Sequence, residues 1–72
     1  MLNSKIKILE SDLTIGEKVR VARVMRKWRQ ADLAQLSRTS QWSISKFETN
    51  KPISEEAMTR VLAAVGLMEG EE

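Results

Sequence analysis

In QWSISKFETNK, residues 41 to 51, an amide, an indole, a hydroxyl and a cation stand at Gln41, Trp42, Ser45 and Lys46. On a helix of about 3.6 residues per turn these four share one side, and Ile44 and Phe47 share the other. The set offers hydrogen-bond donors and acceptors plus one positive charge, which is chemistry of recognition. Bond-making chemistry has little to draw on. The chain has no cysteine and no histidine, so the common nucleophile–base pairs of hydrolases cannot be built. Disulfides are ruled out and a zinc site nearly so. No convergent catalytic set is visible, and the expectation is a protein that is not an enzyme and carries no cofactor or metal.

The charges point to the kind of surface recognised. The net charge is only +2 over 72 residues, but it is unevenly spread. Between Lys18 and Lys51 nine basic residues (Lys18, Arg20, Arg23, Arg26, Lys27, Arg29, Arg38, Lys46, Lys51) face two acids, Asp32 and Glu48, a balance of +7. Residues 52 to 72 carry Arg60 against five glutamates, −4, and residues 1 to 17 carry −1. A basic middle with an acidic tail suits a polyanionic partner, although an ordinary solvated helix surface also carries charge.

Four short helices must position these residues. Thr14 and Glu17 have capping-box spacing, so the first helix starts after Thr14 and covers residues 15 to 28, with Ile15, Val19 and Ala22 on one face. Residues 30 to 37 form the second, with Leu33 and Ala34 inward. Thr39 or Ser40 can cap the third, residues 41 to 49, whose Ile44 and Phe47 point inward. Asn50 tolerates the left-handed conformation that ends helices, and Pro52 forbids continuation. Ser54 caps the fourth, about 55 to 65, with Met58, Val61, Leu62 and Val65 inward and Gly66 as its stop. A chain this short buries only roughly 60% of its unfolded surface, so a partner chain would help it.

The first dozen residues fit less easily. KIKIL alternates charge and apolar side chains in the manner of a strand. One strand is not stable alone, so the segment pairs, packs as an extended arm, or stays mobile. Val21, Val24 and Met25 form a second apolar row on the first helix, opposite the core row. Such a row calls for a cover. Ile6, Ile8 and Leu9, from the same chain or a partner, are the candidates.

Four helices with a tight turn between the second and third look like a helix-turn-helix domain. Over residues 15 to 67 the chain resembles the lambdoid phage repressor and Cro family, also called the Xre family. The resemblance rests on IGEKVRVAR in the first helix, QADLAQLSRTSQWSISKFETNK, the pair Phe47-Glu48, and the LAAVGL ending. It implies an all-α, compact four- to five-helix, lambda-repressor-like domain at residues 14–68, with an N-terminal arm at 1–13 and an acidic tail at 69–72. It also implies that Arg23 pairs with Glu48, tying the first helix to the end of the third in a partly dry setting. Ala34 falls where the second and third helices cross. Trp28 matches an apolar family position and is expected in the core.

Two departures stand out. Arg38 occupies the turn position usually held by glycine, so either it accepts a left-handed conformation at roughly 1 kcal/mol or the turn differs. Arg29 replaces the usual hydroxyl cap of the second helix.

In this family the third helix lies in the major groove of DNA. Base contacts then fall to Gln41, Trp42, Ser45 and Lys46. Gln41 suits the N6 and N7 edge of adenine, and Lys46 suits O6 and N7 of guanine or a phosphate. Trp42 either presses on a thymine methyl or folds back onto protein. Backbone contacts fall to Gln30, Arg38, Ser40, Ser43, Thr49, Asn50 and Lys51. The function implied is a homodimeric repressor on an inverted-repeat operator of double-stranded DNA. The alternatives are a restriction–modification controller protein, or an antitoxin whose main partner is a toxin protein. The dimer surface is either the arm or the end of the fourth helix, around Leu67 and Met68. No membrane association is expected, since no run approaches the ~20 apolar residues of a span. The expected location is the cytoplasm.

Overall fold

A computed structural model describes residues 12 to 68. The expectations for the KIKIL strand, for Ile6, Ile8 and Leu9 as a cover, and for the acidic tail lie outside the described residues. The structure is all-α: α1 (Ile15–Met25), α2 (Gln30–Ser37), α3 (Gln41–Glu48) and α4 (Glu55–Ala64), with no strand among the described residues. None of these helices is long and apolar enough to cross a membrane.

Local chemistry sets the helix starts. Thr14 Oγ1 accepts from the Glu17 N–H at 3.1 Å, and Glu17 Oε1 accepts from the Thr14 N–H at 2.9 Å, closing the capping box. Ser40, rather than Thr39, caps α3 through the Ser43 N–H, and Ser54 caps α4 through the Ala57 N–H. Each such cap contributes about 1 kcal/mol. At α2 the capping is one-sided. Arg29 cannot accept a hydrogen bond, but the Asp32 carboxylate accepts from the Arg29 N–H at 2.8 Å and pairs with its guanidinium at 3.3 Å. That N–H, and then the guanidinium, hold the Asp32 carboxyl below the usual carboxylate range.

All four helices stop in the same way. The residue in the left-handed conformation is Lys27, Arg38, Asn50 or Gly66, with φ of 61, 59, 67 and 76°. In each case the next N–H reaches back five residues to a helix carbonyl: Trp28 to Arg23, Thr39 to Ala34, Lys51 to Lys46, Leu67 to Leu62, at 2.8 to 3.1 Å. This is the Schellman closure. Only α4 uses glycine for it. Arg38 therefore does accept the strained conformation. Lys27 shortens α1, which ends at Met25 and not at residue 28.

The core is Val19, Leu33, Ala34, Ile44, Phe47, Val61 and Val65, with Ala22, Trp28, Ile53, Met58, Leu62, Ala64 and Leu67 packed around it. Central α2 packs on both α3 and α4, and α1 packs on α3. Ile15 departs from expectation: it sits in the first turn of α1, beyond the reach of the core, and is 44% exposed. Its neighbour Gly16 is the buried residue there. A Cβ on Gly16 would run into the carbonyl oxygen of Phe47, so the α1–α3 contact requires glycine. The row Val21, Val24, Met25 is open, at 44, 55 and 77% exposure.

Candidate nucleic-acid interface

α3 is held from one side. Ile44, Phe47 and Glu48 are buried, while Gln41 and Trp42 face solvent and Ser45 and Lys46 are half-buried. The four side chains expected to recognise a partner thus share the outer side of a helix whose other side is core.

The C-terminal turn of α3 is fixed by a polar network. Arg23 Nε donates to Glu48 Oε2 at 2.6 Å and Arg23 Nη2 to Glu48 Oε1 at 3.0 Å. The Glu48 side chain is 3% exposed and that of Arg23 11%, so the pair is drier than a surface bridge. Its remaining needs are met. Arg23 Nη1 donates to the Trp28 carbonyl at 2.8 Å, and Gln30 Nε2 donates to Glu48 Oε1 at 3.2 Å. Such satisfaction is what a buried ion pair requires to offset its desolvation. α1, the start of α2 and the end of α3 meet at this one carboxylate, and the α1–α2 connection joins them through Arg23.

The residues expected on the DNA backbone divide by how occupied they are. Gln30 is half-buried and its amide N–H group is engaged by Glu48, so it supports α3 as well as standing at the start of α2. Ser40 and Ser43 hydrogen bond each other at 3.0 Å across the start of α3. The Thr49 hydroxyl donates to the Ser45 carbonyl at 2.8 Å. Arg38, Asn50 and Lys51 are exposed, and the Arg38 carbonyl accepts from Arg60 Nη1 at 3.4 Å.

Trp42 is 73% exposed and does not fold back onto the core. The Lys46 ammonium lies over its ring, 4.6 Å from the centroid. Trp28 behaves differently. It packs half-buried against the core, with the Arg26 guanidinium 5.5 Å from its ring centroid.

Charge pairing sharpens the basic character. Three ion pairs form among the described residues: Arg23–Glu48, Arg29–Asp32 and Arg60–Glu56. Both acids of the Lys18–Lys51 stretch are therefore consumed within it. Its surplus is carried by Lys18, Arg20, Arg26, Lys27, Arg38, Lys46 and Lys51, none of which has a carboxylate partner among the described residues. No three acidic side chains among those residues come together in a way that could hold a metal ion.

Sequence reasoning missed the supporting roles of two residues. Ser37 is buried, its hydroxyl bonded to the Leu33 carbonyl at 2.7 Å and to Thr39 Oγ1 at 2.8 Å, which closes the turn between α2 and α3. Gln30 is the other. Its position three residues before Leu33 marks a helix start, but nothing in its type announces a bond to Glu48. Comparison with protein-family models, with curated proteins and with solved structures gives no match.

Proposed function

We propose that this protein is a sequence-specific double-stranded DNA-binding transcriptional regulator, a repressor, working as a homodimer on an inverted repeat with α3 in the major groove. The observation that carries the reading is the outer face of α3. A helix anchored by Ile44, Phe47 and Glu48 carries Gln41 and Trp42 exposed, and Ser45 and Lys46 half-buried, on its outer face. Donors, acceptors and a cation on one helix face match the donor, acceptor and methyl pattern of base edges. The seven basic side chains without carboxylate partners among the described residues suit phosphates, which fix register without reading sequence. The likeness of residues 15 to 67 to the lambdoid repressor and Cro family supports the same reading. No catalytic step is assigned to any residue, and no cofactor.

In this reading Arg38, Ser40, Ser43, Thr49, Asn50 and Lys51 meet the sugar–phosphate chain on either side of the groove, and Gln30 does so with the second N–H of its amide. Two copies read two half-sites roughly 34 Å apart. Binding blocks RNA polymerase, and protein concentration sets the switch. A controller protein that activates at one site and represses at another is a variant of the same mechanism.

Selection of bound duplexes from random DNA tests the proposal. A palindromic motif with two short half-sites is expected, and the absence of any enriched motif would remove it.

The open row Val21, Val24 and Met25 favours a second reading, in which a protein partner covers α1. The chain is then an antitoxin that grips a toxin and also regulates its own operon. A protein that co-purifies at a fixed ratio and loses its toxicity on binding would establish that reading.

A further inference from the structure

We propose that Trp42 and Lys46 act as one reader of a two-base step, a 5-methylpyrimidine beside a guanine. The inference rests on the reading of α3 as a major-groove helix and deepens it.

Trp42 is the most exposed aromatic side chain of the described residues, at 73%. An indole carries a large apolar surface that normally seeks cover. Among the described residues, the cation over its ring is the Lys46 ammonium, 4.6 Å from the centroid. That lies inside the range of a cation–π contact, and the i, i+4 spacing keeps both groups on one side of α3. A lysine on a bare helix would sample many rotamers, and this one is steered to the tryptophan before any partner arrives.

The major groove offers a complement to that unit. Guanine shows two acceptors, O6 and N7, which an ammonium bridges. Thymine shows a C5 methyl, which an indole can cover. The two demands sit on neighbouring base pairs, as the two side chains sit one turn apart. Cytosine lacks the methyl and shows an amino donor instead. 5-Methylcytosine restores the methyl, so the ring accepts it where it rejects cytosine. Methylation of a cytosine at this step would then strengthen binding.

Duplexes enriched from a random library by the full-length protein provide the probe. Each thymine is changed in turn to deoxyuridine, which removes only the methyl, and separately to cytosine or 5-methylcytosine, each with its paired base. The expected result is one thymine per half-site whose loss of methyl raises Kd about fourfold, as for one buried carbon. 5-Methylcytosine there should bind more tightly than cytosine. Trp42→Ala should abolish the deoxyuridine penalty and also weaken the guanine preference at the adjacent pair, while Trp42→Phe keeps both. Because Trp42 is exposed, the alanine variant should hold its helical circular dichroism. If no deoxyuridine changes affinity, or if Trp42→Ala leaves the guanine preference intact, the two side chains are not one reader. If Lys46→Ala weakens all sequences alike, the ammonium meets a phosphate and the proposal is overturned. A selection that enriches nothing overturns the major-groove reading itself.

Discussion

Gly16 and the carbonyl of Phe47 are in direct contact, with no room between them for a side chain. Alanine normally favours a helix over glycine by about 1 kcal/mol. At this position the order should reverse. Its Cβ would meet the Phe47 backbone and lie 3.0 Å from Asn50 Oδ1, and backbone cannot rotate away as a side chain end can. Gly16→Ala is expected to lower stability by about 1–3 kcal/mol, as overpacking does. Thermal unfolding measures it, and an unchanged or higher Tm would show that α1 shifts freely on α3.

Glu48 is the second sensitive point. Glu48→Ala leaves the Arg23 guanidinium nearly buried without its carboxylate, a loss of about 3–5 kcal/mol. A domain of this size has total stability of that order, at roughly 0.05–0.15 kcal/mol per residue. The variant should be largely unfolded at room temperature. The double variant Arg23→Met with Glu48→Leu removes both charges and should recover most of the loss in urea denaturation. Failure of the double variant would mean that the bonds to Trp28 and Gln30 matter more than the charge balance.

Arg38 separates stability from binding. In the left-handed conformation it costs roughly 1 kcal/mol relative to glycine. Arg38→Gly should therefore raise Tm by about 4–8 °C, the shift that 1 kcal/mol gives a domain this small. The same change should weaken binding to all duplexes, because it removes an exposed cation beside the recognition turn. A rise in Tm with unchanged DNA affinity would take Arg38 out of the phosphate contacts.

Lys51 and Gln41 should differ in kind. Lys51→Ala is expected to weaken binding to every sequence by a similar factor and to flatten the dependence of log K on log salt by about one unit. Gln41→Ala should leave the salt slope alone and relax preference at one base pair per half-site, costing about 1–3 kcal/mol at the preferred base. Titrations at several salt concentrations on specific and scrambled duplexes distinguish the two. Equal behaviour of the two variants would mean that α3 is wrongly placed.

The row on α1 offers the test of assembly. Val24→Asp combined with Met25→Lys puts charge on an open apolar surface without touching the core. If that row is covered by a second copy, or by the arm that reaches it, sedimentation should shift toward monomer, and deletion of residues 1 to 11 should do the same. A dimer that survives both changes points to the end of α4, around Leu67 and Met68.

The helix starts at Thr14 and Ser54 were legible to the residue, and that of α3 to Thr39 or Ser40, because hydroxyl caps act locally: Thr14, Ser40 and Ser54 bond to N–H groups three positions on. The ends at Asn50 and Gly66 were legible for a similar reason. The early end of α1 was not, since lysine carries no preference for the conformation Lys27 adopts. Nor was Gly16, whose role depends on a backbone approach from a helix 31 positions away. On the site itself, residue types and helical spacing placed Gln41, Trp42, Ser45 and Lys46 together. The bond from Gln30 to Glu48 depends on how α2 and α3 cross, which no single stretch encodes.

The carboxylate of Glu48 joins α1, the start of α2 and the end of α3, and this bears on motion. Local openings in proteins release units whose bonds can break separately. The last turn of α3 cannot fray without stripping a nearly buried arginine of its partner, so its opening costs the tie to α1 as well. If α3 is the reading helix proposed above, it meets its target as a preformed rigid body. Little ordering entropy is then lost on contact, and a mismatched site cannot be accommodated by bending the helix to suit it.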